Sequence, residues 1–222
     1  MQAFQNSFIE LAREAAALSF GSFELKSGRT SPYFFNAGKF SSGALLARLA
    51  ECYAQKIIQT PGLNFDMLYG PAYKGIPLVA ATATILAQRY DRDVPYAFNR
   101  KERKGHGEGG MLVGAELSGR LLILDDVITA GTAIRESIDL IRSVPNCSVE
   151  GVLIGLDRQE TGPSGVNAIQ QLQSEEGISV HAIVQMNDLI DYLSNNPDGM
   201  STSAHRDLLN SMSEYRKLYG TS

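Results

Sequence analysis

The sequence predicts an α/β fold, a mostly parallel central sheet flanked by helices, with a small N-terminal hood. Three observations predict it. From Asp66 onward, short apolar runs alternate with amphipathic segments, the rhythm of βα units. The run LLIL at 121–124 is continuously apolar, as a strand covered on both faces requires. The 222 residues, 44% hydrophobic and 20% charged, suit one ordinary globular domain, and no repeat, low-complexity tract or long linker divides them.

The elements follow in order. Residues 4–19 set Phe4, Phe8, Leu11, Ala15 and Leu18 at helical spacing, a stripe for burial. A Gly-, Ser- and aromatic-rich stretch at 21–42 carries turn signals at Ser27-Gly28 and Ser31-Pro32. A second helix at 43–59 stops before Pro61-Gly62. Strands then fall at 66–69, 94–98, 120–127, 149–156 and 178–184. Helices fall at 76–90, 134–144, 166–176 and 186–194, and 204–219 reads as a terminal helix. Within the single domain 1–222, residues 1–65 lack the βα rhythm and are assigned to the hood, 66–185 to the core and 186–222 to C-terminal helices. In open α/β sheets the ligand sits beyond the carboxyl ends of the strands, which directs attention to the loops after Tyr69, Phe98, Leu124 and Leu156.

Composition excludes several functions. Lys plus Arg is 20 against 24 Asp plus Glu, a net charge of −4, which argues against a nucleic-acid partner. Residues 1–10 show no basic, then apolar, leader, and no apolar run approaches the ~18–20 residues of a membrane span. A cytoplasmic protein without membrane contact is expected. Cys52 and Cys147 have no metal-ligand spacing and read as reduced core thiols. His181 and His205 read as structural.

The strongest chemical signal is LLILDDVITAGTA at 121–133. A buried strand runs into two carboxylates, then a small-residue loop, then a helix beginning near Thr132. Backbone N–H groups of Thr129, Ala130, Gly131, Thr132 and Ala133 at a helix N-terminus form an anion cradle, and Gly131 permits close approach of a phosphate. Two carboxylates beside a phosphate repel it unless they face hydroxyl donors. The pair therefore suggests a ribose 5-phosphate, its phosphate on the loop and its diol on Asp125 and Asp126. An acid-rich helix cap is the plainer reading, but it does not call for two carboxylates at a buried strand end.

Residues 100–104 (RKERK) carry four positive charges and one negative, followed by Gly105, His106, Gly107, Glu108, Gly109 and Gly110. Such a run is ordinarily a solvated face. On a glycine-hinged loop it also describes a lid that brings cations onto a polyanion. The pattern G-x-G-x-x-G at 105–110 follows a charged run rather than a strand and opens no helix, so it is not a dinucleotide fingerprint.

With FELKSGRTSPYFFNAG (23–38), YGPAYKGIPL (69–78), NRKERKGHGEGG (99–110) and GLDRQE (155–160), the DDVITAGTA string resembles the type I phosphoribosyltransferases, and among them the orotate phosphoribosyltransferase family. The resemblance runs from about Leu18 to Glu160 and loosens beyond. It implies transfer of the 5-phosphoribosyl group from 5-phosphoribosyl 1-diphosphate (PRPP) to orotate, giving orotidine 5′-monophosphate and diphosphate in de novo pyrimidine synthesis. It implies Mg²⁺ carried mainly by the diphosphate, with no dedicated metal cage in the protein, and a homodimer whose 100–110 lid is shared between subunits.

By the same resemblance, PRPP falls to Lys26, Tyr73, Lys74, Arg100, Lys101, Lys104 and His106, and to the loop Asp125, Asp126, Val127, Ile128, Thr129, Ala130, Gly131, Thr132 and Ala133. The loop holding Tyr73 and Lys74 is where the family often has a cis non-proline peptide, expected here near Ala72-Tyr73. Lys26, Lys104, His106, Asp125 and Asp126 form the implied catalytic set, with either Lys104 or His106 protonating the leaving oxygen. The base falls to Phe34 and Phe35, through backbone amides and a ring face, to Thr129, and to Arg158.

Arg158 can grip a carboxylate bidentately, and orotate is unusual among nucleobases in bearing one. The plainer readings are a salt bridge from Arg158 to Asp157 or Glu160, and core packing for Phe34 and Phe35. Two rivals to the orotate enzyme are a purine phosphoribosyltransferase and a non-catalytic regulator that keeps the fold as a nucleotide sensor. The lid cations, Lys26 and Arg158 favour the enzyme.

Overall fold

The computed structural model describes residues 1–25, 27–102, 111–162, 165–197 and 201–221. Helix α1 (Ala3–Glu14) buries Phe4, Phe8 and Leu11 as their spacing requires. It ends earlier than the apolar stripe suggests, because Ala16 turns the chain at φ 52° and Leu18 begins a strand. That strand, β1 (Leu18–Glu24), pairs antiparallel with β2 (Thr30–Phe35). Helix α2 (Gly43–Gln59) follows, with Ser42 Oγ accepting from Leu45 N at 3.3 Å as its N-cap.

The core then alternates β3 (Met67–Gly70), α3 (Gly75–Tyr90), β4 (Tyr96–Asn99), β5 (Leu112–Gly114), β6 (Gly119–Asp125), α4 (Thr132–Arg142), β7 (Cys147–Asp157), α5 (Ala168–Glu176) and β8 (Ser179–Gln185). Helices α6 (Met186–Asn195) and α7 (Thr202–Tyr219) close the chain. Among the described residues the main sheet runs β5-β4-β3-β6-β7-β8, parallel throughout except for the antiparallel edge strand β5.

Two apolar cores lie on the two faces of this sheet. On one, α1, α2, α3 and α6 pack against Leu68, Leu122, Leu124 and Leu153. On the other, α4 and α5 pack against Met67, Tyr69, Leu121, Ile123 and Val152. Successive strand side chains point to opposite faces, so a strand covered on both must be apolar at every position. Helices α1 and α2 thus share the main core. Of residues 1–65, the β1–β2 hairpin is the part that meets the loop after β7, where Tyr33 Oη donates to Glu160 at 3.3 Å and Arg29 Nη1 to the Thr161 carbonyl at 2.7 Å.

Helix α3 leaves β3 on one face, and α4 leaves the adjacent β6 on the other. The chain therefore diverges at the carboxyl ends of β3 and β6 and opens a crevice between them, the usual ligand position in a doubly wound sheet. Among the described residues, no helix is long and apolar enough to cross a membrane.

Candidate active site

The crevice is built first from glycine. A Cβ on Gly75 would stand 2.7 Å from Pro71 Cδ, 2.8 Å from the Gly70 carbonyl carbon and 2.9 Å from the Leu124 oxygen. Only glycine lets α3 begin so close to β6. The Ala72–Tyr73 peptide is cis, as the family resemblance implies. Ala72 N donates to Asn99 Oδ1 at 3.0 Å, which ties this loop to the end of β4.

Tyr73 is exposed, and Lys74 reaches back across the crevice, its Nζ donating to Asp126 Oδ2 at 2.6 Å. The sequence reading turns both carboxylates toward a sugar and leaves Lys74 to phosphate. In the structure Asp126 is already paired with Lys74. The cause is burial: the Asp126 side chain is 7% exposed, and a carboxylate so placed needs a cation or a proton.

Asp125 accepts the Asp126 N–H on its Oδ1 at 2.9 Å. Burial, and then the charge of Asp126, push its carboxyl up to about 7, against a smaller lowering by Lys74. The backbone beneath both acids is pinned. Tyr53 Oη donates to the Asp125 carbonyl at 2.7 Å, while Gly155 N and Leu156 N donate to the Asp126 carbonyl at 2.9 and 3.2 Å. Burial raises the Tyr53 phenol well above its ordinary value, so it remains a donor.

The following loop is anchored on both faces, Val127 against the first core and Ile128 in the second. Thr129, Ala130, Thr132 and Ala133 are exposed, and Gly131 takes φ 76° as the residue before α4. No side chain caps this helix, so its first-turn N–H groups have no capping partner among the described residues. This exposed, uncapped start of α4 is the segment to which the sequence assigns the anion cradle.

Arg100 N donates to the Met111 carbonyl at 2.7 Å, extending the β4–β5 ladder into the stem of the basic loop. Lys101 Nζ lies 5.0 Å from the centroid of the Tyr73 ring, and Arg100 keeps a buried Nη1 without a hydrogen bond. Lys26, Lys104, His106 and the glycine pattern at 105–110 lie outside the described residues.

On the base side, Arg158 follows β7 and makes the plainer of its two expected contacts. Its Nε donates to Glu160 Oε1 at 3.0 Å, and Nη2 lies 2.7 Å from the same oxygen. Its guanidinium stands 4.7 Å from the Tyr33 ring centroid. Phe34 is 41% exposed, its ring 5.6 Å from that of Phe23. The Phe35 ring takes the plainer of its two readings and packs toward the core at 6.2 Å from Phe8, so of the pair Phe34 has the more exposed ring. Sequence reasoning missed Tyr53 and Asn99. Tyr53 carried a faint signal, a phenol on a buried helical stripe whose hydroxyl needs a partner.

Residues 41–188 match the phosphoribosyl transferase domain family, the class of protein this fold and crevice define. Orotate phosphoribosyltransferases from Aeromonas salmonicida and Methylococcus capsulatus are each 54% identical to the chain, over 99% and 100% of it respectively and over the whole of each relative. The crystal structure of the Francisella tularensis orotate phosphoribosyltransferase superposes with a TM-score of 0.84 at 42% identity, covering 96% of this chain and 99% of that one. At 16% identity, the Mycobacterium tuberculosis enzyme solved with PRPP shares the fold, with a TM-score of 0.61 over 85% of this chain and 93% of that one. The chain belongs to the orotate phosphoribosyltransferase family.

Proposed function

We propose that the protein transfers the 5-phosphoribosyl group of PRPP to N1 of orotate, releasing diphosphate and giving orotidine 5′-monophosphate for pyrimidine nucleotide synthesis. The observation that supports this most directly is the uncapped, exposed start of α4 immediately after an acid pair at the switch point. A 5-phosphate seats on the amides of residues 129–133, with the ribose diol against Asp125 and Asp126.

Departure of diphosphate leaves positive character on the ribose. The work of the site is then mainly electrostatic, two carboxylates beneath the sugar and cations around the leaving group. Lys74 leaves Asp126 for the diphosphate as the ribose hydroxyls take over as donors to that acid. Arg100 and Lys101 at the loop stem add charge. Lys26, Lys104 and His106 carry their roles through family resemblance. Closure of the lid excludes the water that would hydrolyse PRPP. Arg158 receives the orotate carboxylate, beside Phe34 and Thr129.

Among the described residues, no cluster of three or more His, Cys, Asp or Glu could hold a metal ion. Asp126 is already paired with Lys74, and Asp125 is buried and accepts a backbone N–H, so a Mg²⁺ held mainly by substrate oxygens is the proposed arrangement. When bound, Mg²⁺ neutralises diphosphate charge. The proposal includes a cytoplasmic homodimer that shares the lid between subunits.

The test is to mix protein, PRPP, Mg²⁺ and orotate and to follow loss of orotate absorbance, with hypoxanthine and adenine as alternative acceptors. Orotate consumption with release of diphosphate is expected. Consumption of a purine in place of orotate would reassign the acceptor. PRPP binding without turnover of any base would make the chain a sensor.

A further inference from the structure

Arg158 is held between Glu160 and the Tyr33 ring, with Tyr215 beside it. A single oxygen, Glu160 Oε1, meets both Nε at 3.0 Å and Nη2 at 2.7 Å, gripping one edge of the fork. The Tyr33 ring covers a face, and Tyr33 Oη also donates to Glu160 Oε1 at 3.3 Å. Both charged side chains are only 15% exposed. Nη2 is buried and, although 2.7 Å from Glu160 Oε1, makes no hydrogen bond of good geometry, so its donor capacity is only partly used.

Glu160 is itself rigidly placed. Asn167 Nδ2 donates to the Glu160 carbonyl at 3.2 Å. The residues on either side are clamped by the end of the chain, with Thr161 N donating to the Tyr219 carbonyl at 2.8 Å and Thr221 N to the Gln159 carbonyl at 2.9 Å. Tyr215, on the same terminal helix, packs edge-on against Tyr33 at 6.4 Å.

We infer that Glu160 is the positioning residue of the base site: clamped by the C-terminal segment, it orients Arg158 over Tyr33 so that the unspent guanidinium donors meet the carboxylate of orotate. This rests on the function proposed above and adds to it how the carboxylate-reading arginine is aimed. The physical reason is that a guanidinium recognises a carboxylate through two near-parallel N–H bonds, whose gain is lost when the plane rotates. A long side chain free to rotate also loses entropy on every binding event, and a fixed one has already lost it. The competing idea, that Glu160 occupies Arg158 and holds orotate off, predicts the opposite sign.

The experiment compares Glu160→Gln, Glu160→Ala, Arg158→Ala and the double variant Glu160→Ala/Arg158→Ala, reading KM for orotate and for PRPP, with melting temperature as a fold control. Positioning predicts that Glu160→Ala raises the orotate KM roughly ten- to a hundredfold, as misplacement of a binding group does. Glu160→Gln, which keeps an acceptor oxygen, should raise it less, and the PRPP KM should stay within about twofold. The double variant should be no worse than Arg158→Ala alone, because Glu160 acts through Arg158. An orotate KM that falls or stays level in both Glu160 variants, or rises in step with that of PRPP, overturns the inference. An orotate KM unmoved in Arg158→Ala is a different failure, and it removes Arg158 from the base site altogether. Should the alanine variant not fold, Glu160→Gln and Tyr33→Phe, which loses only the hydroxyl on Glu160, carry the same orotate-specific comparison.

Discussion

Replacing Asp125 by Asn removes a carboxyl whose ionisation the folded protein opposes. Burial and the neighbouring charge of Asp126 hold that carboxyl at about 7, against 3.8 for a free side chain. An acid raised in this way binds more protons folded than unfolded, so it makes stability fall as pH rises between those two values. At about 1.36 kcal/mol for each pH unit between them, roughly 4 kcal/mol is the most this one group can remove, and its partial access to water reduces that. The perturbation is well matched, because an Asn side-chain oxygen still accepts the Asp126 N–H now made to Asp125 Oδ1 at 2.9 Å.

Urea unfolding of the ligand-free protein and of Asp125→Asn at pH 5, 6, 7 and 8 supplies the measurement, and the difference between the two reports Asp125 together with its coupling to Asp126. The variant should gain on the wild type steadily as pH rises, then level off above about 7. The same proton should appear in binding: ribose hydroxyls donate to the ionised carboxylate, so ribose 5-phosphate should bind the wild type with a proton release that the variant lacks. A stability difference that is flat with pH would refute the reasoning, and Asp125 would then be an ordinary ionised acid.

Three further outcomes are expected, the first from the family resemblance and the other two from the crevice geometry. Lys104→Ala should lower kcat by about a hundred- to a thousandfold, since one well-placed electrostatic donor is worth ~2.7–4 kcal/mol in comparable sites, and turnover within a few-fold of wild type would remove that cation from the mechanism. Gly75→Ala should cost about 1–3 kcal/mol of stability, because a methyl 2.7 Å from Pro71 Cδ and 2.9 Å from the Leu124 oxygen forces backbone apart, and a wild-type melting temperature would show the crevice to be pliable. Gly131→Ala, at φ 76°, should cost about 1–2 kcal/mol and raise the KM for PRPP but not for orotate; equal KM shifts would mean the loop does not hold the phosphate.

What the sequence makes legible is local. Helix α2 was readable to its ends, Gly43–Gln59, because Ser42 caps one and Pro61-Gly62 follow the other. The acid pair and its loop were readable because strand, acids, cradle and helix are contiguous. Strand β5, Leu112–Gly114, is too short for a period to register. The β1–β2 hairpin hides in a stretch whose turn signals outweigh its alternation, and Leu18 fits a helical stripe equally well as a strand start. The pairing of Lys74 with Asp126 joins residues 52 apart through the divergence of α3 and α4, and no local pattern encodes it. Phe35 turns inward for a similar reason, since its neighbour Phe8 comes from another element. The pair Arg158 and Glu160 is local, yet sequence alone left it balanced against ligand binding, because both uses need the same residues.

The two cations proposed to read anions each rest on an acid of their own chain, and the pairs differ in a way that divides their work. The Lys74 side chain is 50% exposed while that of Asp126 is 7%. The lysine end can swing away on its flexible stem, and a diphosphate, carrying more charge than one carboxylate, draws it off. On the proposed function, the ribose hydroxyls then replace the ammonium as donors to Asp126. Neither member of the Arg158–Glu160 pair can leave so readily: both are 15% exposed, and parting them strands a buried charge. The second pair therefore stays closed, and in the proposed binding mode the orotate carboxylate adds to it rather than exchanging with it. On this proposal, exchange at one end of the crevice and addition at the other would let a highly charged donor and a singly charged base bind side by side, while in the free protein both positions are paired.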